Sequence, residues 1–229
     1  MADPRTSLDL KKLFRDPDMF ESSDHWGDAG FEIVRSSESK IMVASHEQAK
    51  GYLFKKYCDD ISLDDQHENY LRRLDGIGKV RELIDEHQLQ RIVAPQKWIH
   101  ELPSAFSHKK QKSHVLIVER LPILNKEDTE SAYRDIDKKT LGELCVVLHS
   151  FRGLDSNAKN VPFTKDGKIA FIDTEHWDRH SKKKYKQRKR LKYIREFLSD
   201  DRRKFAKKVF EGLGSDYDDD DDDDDDDDS

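Results

Sequence analysis

The stretch from Gly153 to Glu175 constrains the fold of this chain more than any other part of its sequence. Residues 161–163 and 169–172 are two short apolar runs, and Lys-Asp-Gly-Lys separates them. An Asp-Gly pair supplies the positive φ angle that a tight hairpin turn requires. The stretch therefore predicts a loop and then a β-hairpin, with Asp155 before the hairpin, Asn160 at its entry and Asp173 at its exit.

These three polar residues have the chemistry that phosphoryl transfer to a hydroxyl group requires. One carboxylate must orient the attacking hydroxyl and accept its proton, while a second carboxylate and an amide oxygen must hold Mg²⁺ against the phosphates of a nucleotide. The alternative interpretation is a hairpin that is rich in Asp and Asn for reasons of turn geometry alone.

The spacing Asp155-x-x-x-x-Asn160, followed by Asp173, resembles the catalytic core of the protein-kinase-like superfamily. The resemblance implies that Asp155 is the catalytic aspartate and that Asn160 and Asp173 are metal ligands. The pair before Asp155 is Gly-Leu where the family has His-Arg, which affects the bracing of the catalytic loop. The pair after Asp173 is Thr-Glu where the family has Phe-Gly, which affects the activation-loop switch.

The same resemblance implies an α+β fold with two lobes. The N-lobe would contain an antiparallel sheet and one long helix, and the C-lobe would be reduced and helical. We expect an N-terminal extension over residues 1–25, the N-lobe over 26–121, the minimal C-lobe with basic C-terminal helices over 122–212, and a disordered polyaspartate tail over 213–229. In its small C-lobe the chain is similar to minimal kinase-like proteins of bacteria, secreted effectors among them.

Residues 31–44 predict a first hairpin, and residues 51–57 predict the strand that follows it. Alternate residues of a strand share a face, so Lys55 should lie on one face with Leu53 while Lys56 points outward. The resemblance implies that Lys55 contacts the α- and β-phosphates of ATP. The alternative is that both lysines stand in solvent on an edge strand.

Residues 62–87 predict a helix. Ser62 is a suitable N-cap, and acidic residues follow it in the first turn, where the helix dipole favours them. Apolar residues at three- and four-residue spacing predict one buried face, formed by Leu71, Leu74, Ile77, Val80 and Ile84. Gly76 and Gly78 weaken the middle of this helix, so a kink or a division into two helices is a further expectation.

A kinase-like fold needs an acidic residue on this helix to pair with the strand lysine. We predict that Glu68 takes this role and braces Lys55, with Glu82 as the alternative. Most glutamates on helices are solvated, which is the competing interpretation for Glu68.

An apolar strand over residues 115–118 turns polar at Glu119 and soon meets Pro122. The resemblance implies that this is the hinge between the lobes, where the backbone from Glu119 to Leu121 binds the adenine of the nucleotide. An ordinary strand that ends in a loop is the alternative. Further along, residues 135–151 predict a buried helix that leads into Gly153, because apolar residues surround it almost completely.

The charge of the chain is divided unevenly. The net charge is −6, yet Asp216 and the run from Asp218 to Asp228 supply twelve negative charges, so the remainder of the chain is basic. A basic run between Lys182 and Lys192 could bind an anionic partner such as nucleic acid or phosphoinositide through its phosphates. It could also be a nuclear localisation signal or be covered by the acidic tail, and a solvated helix face is the remaining interpretation.

From these patterns we expect an atypical kinase that uses ATP and Mg²⁺ to phosphorylate a hydroxyl acceptor, with protein Ser, Thr or Tyr favoured over a small molecule. The alternative is a catalytically inactive pseudokinase or scaffold that binds nucleotide, or binds a partner through the basic helix and the acidic tail. A third hypothesis is a nucleic-acid-binding protein whose kinase-like hairpin is fortuitous. The sequence contains neither an apolar signal region at its N-terminus nor a stretch long enough to span a membrane. We therefore expect a soluble intracellular protein, cytoplasmic or nuclear, with export as an effector left open.

Overall fold

The computed structural model describes residues 3–15, 23–35, 41–57, 62–102, 113–151, 153–154, 156–175, 177, 191 and 193–214. The helices are α1 (Pro4–Ser7), α2 (Leu10–Leu13), α3 (Ser23–Asp28), α4 (Leu63–Glu86), α5 (Lys126–Arg134), α6 (Lys138–Ser150) and α7 (Asp200–Gly212). The strands are β1 (Phe31–Arg35), β2 (Ile41–His46), β3 (Tyr52–Tyr57), β4 (Ile92–Val93), β5 (Lys97–Glu101), β6 (His114–Glu119) and β7 (Ile169–Ala170). Short 3₁₀ turns occupy Glu47–Ala49 and Arg195–Phe197.

Five strands form one antiparallel sheet in the spatial order β1-β2-β3-β6-β5. β3 lies at its centre, where Lys55 pairs with Val43 of β2 on one side and with Leu116 of β6 on the other. The predicted first hairpin is β1 and β2, and its turn, residues 36–40, lies outside the described residues. The central position of β3 holds Lys55 between two hydrogen-bonded neighbours.

Both faces of the sheet are covered. One face packs against α4, through a cluster that includes Tyr57 and Leu116 of the sheet and Tyr70 of the helix. The other face packs against the N-terminal helices, whose apolar side chains enter a cluster of stacked and edge-on aromatic rings. Phe14 is fully buried in that cluster against Phe31 and Phe54. The segment predicted as an N-terminal extension therefore contributes core residues to the sheet.

Helix α4 is one uninterrupted helix of 24 residues, so the expected division into two helices is wrong, whereas a kink at its glycines stays a prediction. The predicted cap is confirmed, because the Ser62 hydroxyl accepts a hydrogen bond from the Asp65 N–H at 3.1 Å. The buried face differs from the prediction at one position: Leu71 is 49% exposed. Tyr70, which is fully buried, takes the place on the inner face that Leu71 was expected to fill.

The second part of the chain is mainly helical and encloses its own apolar core. α6 lies at the centre of this core, and its buried residues include Leu141, Leu144 and Leu148. The helix predicted over residues 135–151 is thus present from Lys138, with Asp137 as its N-cap. α7 packs against α6 and begins after Ser199, whose hydroxyl accepts from the Arg202 N–H. Residues 178–190 of the predicted basic helices lie outside the described residues.

The predicted hairpin over residues 161–172 connects the helical part of the chain to the part that contains the sheet and α4. Gly167 has φ +76°, as the Asp-Gly turn requires, and the Gly167 N–H donates to the Thr164 carbonyl at 3.0 Å. The strands are shorter than predicted: Phe163 and Ile169 form a single antiparallel bridge, and β7 pairs in parallel with β4, which follows α4. The segment after β7 therefore lies beside α4.

The chain has the α+β architecture that the resemblance implied: an antiparallel sheet with one long helix, followed by a mainly helical part. No helix of the described residues is both long and apolar enough to cross a membrane. The division at residues 25, 121 and 212 stays a prediction.

Candidate active site

Main-chain hydrogen bonds bring Asn160 and Asp173 to the same place. The Phe171 N–H donates to the carbonyl of Val93 in β4, and the Ile172 N–H donates to the carbonyl of Asn160 at 3.1 Å. Asp173 follows directly. The two predicted metal ligands therefore lie on neighbouring backbone segments, at the point where the hairpin leaves the core around α6 and approaches α4.

Asp173 lies in a strongly cationic environment. Its Oδ1 accepts a hydrogen bond from Nη1 of Arg73 at 2.8 Å, and its side chain is 39% exposed. Burial alone would raise the pKa of this carboxyl group, but the charges of Arg73, Lys55 and Lys97 outweigh it and hold the pKa below its ordinary value. Asp173 is therefore a carboxylate at neutral pH, which is the form that binds a metal ion.

Arg73 is the residue of α4 that reaches the site. Its side chain is 6% exposed. Nη2 contacts a carboxylate oxygen of Glu175, and Nε and Nη2 both lie 3.4 Å from the Tyr57 hydroxyl of β3. Burial would lower the pKa of this guanidinium, but the two carboxylates and the tyrosine raise it, so Arg73 stays charged. One side chain thus joins α4, β3 and the segment after β7.

Lys55 of β3 acts electrostatically on this cluster. The Tyr70 hydroxyl of α4 accepts from the Tyr57 N–H at 3.1 Å and donates to the Lys55 carbonyl at 3.3 Å, so the end of β3 is tied to α4. The charge of Lys55 acts on Asp173, whose pKa it lowers. Lys56 does not point outward: it is buried, and its amine donates to the side-chain carbonyl of Gln66.

Lys97 of β5 is a second buried lysine beside the site. It is 7% exposed, and its Nζ lies 3.4 Å from the Thr174 hydroxyl. Burial lowers the pKa of Lys97 well below its ordinary value, and the nearby charges of Lys55 and Arg73 lower it further. Three basic side chains therefore converge on the segment that carries Asp173 and Glu175.

A close backbone approach fixes α4 against this segment. A Cβ atom at Gly76 would lie 2.2 Å from the Thr174 carbonyl oxygen and 2.7 Å from Cδ1 of Trp177, so only glycine fits there. One turn earlier, the Thr174 hydroxyl donates to the Arg73 carbonyl at 3.2 Å. The glycine that seemed to weaken the helix is what allows the helix to contact the site.

Glu68 does not brace Lys55, which corrects the prediction. Its side chain is 61% exposed and pairs with Arg72, one turn further along α4, at 2.7 Å. The alternative, Glu82, is likewise exposed and pairs with Lys79. The physical reason is the rotation of the helix: Tyr70, Arg73 and Ile77 share the inner face, so Glu68 lies on the outer one.

The predicted hinge follows β6. The Glu119 N–H donates to the Gln96 carbonyl, and the Arg120 N–H donates to the Gly51 carbonyl, both at 2.8 Å. The Leu121 carbonyl accepts from the Ile123 N–H at 2.9 Å. The main chain here is thus hydrogen-bonded to both neighbouring segments, and adenine binding by Glu119 and Leu121 stays a prediction.

Asp155 lies outside the described residues. Both of its neighbours, Leu154 and Ser156, are buried. The chain then turns at Asn157, whose carbonyl accepts from the Asn160 N–H at 2.7 Å. The flanks of Asp155 are therefore anchored on both sides, and its predicted catalytic role rests on the resemblance.

The sequence reasoning missed Arg73, Lys97 and Glu175. Arg73 had a readable signal, because a cation three residues after Tyr70 and four before Ile77 interrupts an apolar helix face. Glu175 also had one, since residues two apart in an extended segment share a side and Glu175 is two after Asp173. Lys97 had none, because a lysine near the start of a strand is usually solvated.

Comparison with known proteins adds the following similarities. No protein-family model matches the sequence, and no curated protein matches it. The solved structure of WbdD, a bifunctional kinase-methyltransferase, is similar at 17% identity and a TM-score of 0.36, over 63% of this chain and 32% of that one. An apo pseudokinase is similar at 14% identity and a TM-score of 0.43, over 74% of this chain and 66% of that one. Vaccinia related kinase 3 is similar at 12% identity and a TM-score of 0.38, over 64% of this chain and 46% of that one. The chain thus spans between about a third and two thirds of the length of these proteins.

Proposed function

We propose that this chain is an ATP- and Mg²⁺-dependent phosphotransferase that transfers the γ-phosphoryl group of ATP to a hydroxyl acceptor. The observation that carries the proposal is the convergence of three predicted residues, one on β3 and two on the hairpin more than 100 positions later. Lys55 of β3 acts electrostatically on Asp173, and the backbone of Asn160 is hydrogen-bonded beside Asp173.

The oxygen ligands present suit magnesium. Asp173 offers a carboxylate and Asn160 an amide oxygen, and Mg²⁺ prefers one or two such ligands together with phosphate and water oxygens. Among the residues that the structure describes, no group of three or more His, Cys, Asp or Glu side chains forms a metal-binding cluster. A Mg²⁺ ion held by Asp173 and Asn160 would neutralise charge on the phosphates of ATP and thereby favour phosphoryl transfer.

The remaining residues have distinct roles in this proposal. Lys55 binds the α- and β-phosphates, and the backbone from Glu119 to Leu121 binds the adenine. In the transfer, a bond forms between the acceptor oxygen and the γ-phosphorus, the bond from that phosphorus to the β,γ-bridging oxygen breaks, and ADP leaves. The proton of the acceptor hydroxyl passes to the carboxylate of Asp155. A protein Ser, Thr or Tyr is the favoured acceptor over a small molecule.

The experiment is incubation of the protein with γ-labelled ATP and Mg²⁺, with label followed in protein and in free phosphate. We expect Asp155→Ala and Asp173→Ala to lose transfer by about a hundredfold or more, because each removes a group that acts on the reacting atoms. Asp166→Ala is the matched control, since Asp166 is exposed in the turn of the same hairpin and bonds there to Thr164 and Lys168. Equal activity of the wild type and Asp173→Ala would refute the proposal.

A nucleotide-binding pseudokinase is the second candidate. The observation in its favour is that the acidic helix residue predicted to pair with Lys55 is replaced at the site by a basic one, Arg73. In this candidate the chain binds nucleotide without transfer, and a partner binds at the basic run between Lys182 and Lys192 or at the acidic tail. Metal-dependent ATP binding by a wild type that transfers no label would favour it.

A further inference from the structure

One guanidinium group, that of Arg73, makes three different contacts at the candidate site. Nη1 bonds to Asp173, Nη2 bonds to Glu175, and Nε lies within reach of the Tyr57 hydroxyl. The guanidinium of arginine carries several N–H donors in a rigid planar fork, so one side chain can make such divergent contacts. Arg73 is also almost completely buried, so water cannot substitute for these contacts.

The contacts to Asp173 are concentrated on one of its two carboxylate oxygens. Oδ1 accepts from Nη1 of Arg73 at 2.8 Å and lies 3.4 Å from the Glu175 N–H. Among the described residues, no hydrogen bond to Oδ2 is present. Arg73 therefore fixes the rotation of the carboxylate while the second oxygen keeps its lone pairs for another ligand.

Glu175 decides how the charge of Arg73 acts on the site. Its carboxylate is 15% exposed and forms the second ion pair of the guanidinium, so one negative charge already balances Arg73. The Tyr57 hydroxyl lies 3.4 Å from the same carboxylate and holds it in place. Because Glu175 balances the charge of Arg73, the negative charge of Asp173 can still attract Lys55 and a metal cation.

We propose that Arg73 is a positioning residue, which holds Asp173 through Oδ1 so that Oδ2 can bind the metal ion of the nucleotide. This inference rests on the proposed use of a metal–nucleotide complex, but not on phosphoryl transfer. It gives α4 the task of orienting the metal ligand, whereas the sequence had assigned α4 the task of bracing Lys55. Residues that orient a metal ligand typically contribute about 10- to 100-fold to metal affinity.

The competing interpretation is that Arg73 occupies Asp173 in place of a metal. The two interpretations predict opposite changes in metal affinity when Arg73 is replaced. If Arg73 positions Asp173, its removal weakens metal binding, because the carboxylate is free to rotate. If Arg73 competes, its removal strengthens metal binding, because a positive charge next to the carboxylate disappears.

The experiment is titration of Mn²⁺, as a paramagnetic probe for Mg²⁺, into the protein with ATP, with bound metal measured by electron paramagnetic resonance. We expect Arg73→Gln to raise the apparent Kd for Mn²⁺ by about 10- to 100-fold. Arg73→Lys keeps the charge but loses the fork, so its Kd should lie between those of the wild type and Arg73→Gln. Arg72→Gln is the matched control, because the neighbouring arginine is exposed and pairs with Glu68 on the outer face of α4.

Glu175→Gln provides an independent variant that leaves Arg73 in place. It leaves the guanidinium without its balancing carboxylate, and we expect it also to weaken Mn²⁺ binding. An unchanged or lower Kd in Arg73→Gln would overturn the inference, as would a wild type that binds no Mn²⁺ in the presence of ATP. A wild type that binds Mn²⁺ with ATP but transfers no phosphate would overturn the proposed phosphotransfer and, with a raised Kd in Arg73→Gln, would support the role of Arg73.

Discussion

Replacement of Gly76 by alanine should destabilise this protein, although the same change normally strengthens a helix. In a helix interior, Gly→Ala contributes about 0.5–1 kcal/mol of stability. At Gly76 the added Cβ would lie 2.2 Å from the Thr174 carbonyl oxygen, roughly 1 Å closer than an ordinary C···O contact of about 3.3 Å. Because the obstructing atom belongs to the backbone, the helix must move, and such overpacking costs about 1–3 kcal/mol. The net expectation is a loss of about 1–2 kcal/mol.

Gly78, two residues further along the same helix, is the matched control. A Cβ at Gly78 meets nothing within 4 Å, so Gly78→Ala should stabilise the protein by about 0.5–1 kcal/mol. Thermal unfolding followed by circular dichroism should separate the two variants by roughly 3–12 °C, given about 2–4 °C per kcal/mol for a chain of this size. A Gly76→Ala variant as stable as the wild type would refute the argument that α4 is docked on Thr174.

Two further predictions concern the pH dependence of stability, at Asp137 and at Lys97. Hydrogen bonds from the Thr140 side chain lower the pKa of Asp137, the N-cap of α6, so its contribution is present above about pH 4 and is lost as the pH falls through the folded-state pKa. We expect Asp137→Ala to lower the free energy of unfolding by about 1 kcal/mol at pH 7. In urea unfolding, the difference between this variant and the wild type should shrink at pH 3. An equal difference at pH 7 and at pH 3 would contradict this expectation. Burial lowers the pKa of Lys97 in the folded protein. Below about pH 10 the lysine is protonated more readily in the unfolded chain, so its burial destabilises the folded state there. Lys97→Met should therefore raise the free energy of unfolding at pH 7 by about 1–4 kcal/mol, with less gain near pH 10, and a loss of stability at pH 7 would show that the buried amine is needed.

Those parts of the fold that local chemistry controls could be predicted from the sequence. The Ser62 cap, the turn at Gly167 and the strand that carries Lys55 are each specified by residues within a few positions of one another. The proximity of Asn160 and Asp173 was also predictable, because one hairpin joins them.

The contacts that define the candidate site could not be predicted in the same way. Arg73 and Asp173 are 100 positions apart, so no local pattern connects them. The role of Gly76 is visible only once Thr174 lies against it, since a helical glycine by itself indicates weakness. Glu68 was misassigned for a related reason: spacing gives the faces of a helix but does not say which face meets the sheet.

The measurement that tests the central claim most directly is the affinity for Mg²⁺·ATP, determined by isothermal titration calorimetry for the wild type, Lys55→Met and Lys56→Met. The two lysines are adjacent on β3, but Lys55 acts on Asp173 whereas Lys56 bonds to Gln66. The account predicts that the wild type binds Mg²⁺·ATP, that Lys55→Met loses most of this affinity, and that Lys56→Met keeps it while folded. A wild type that does not bind Mg²⁺·ATP, or a Lys55→Met variant that binds it as tightly as the wild type, would contradict the account.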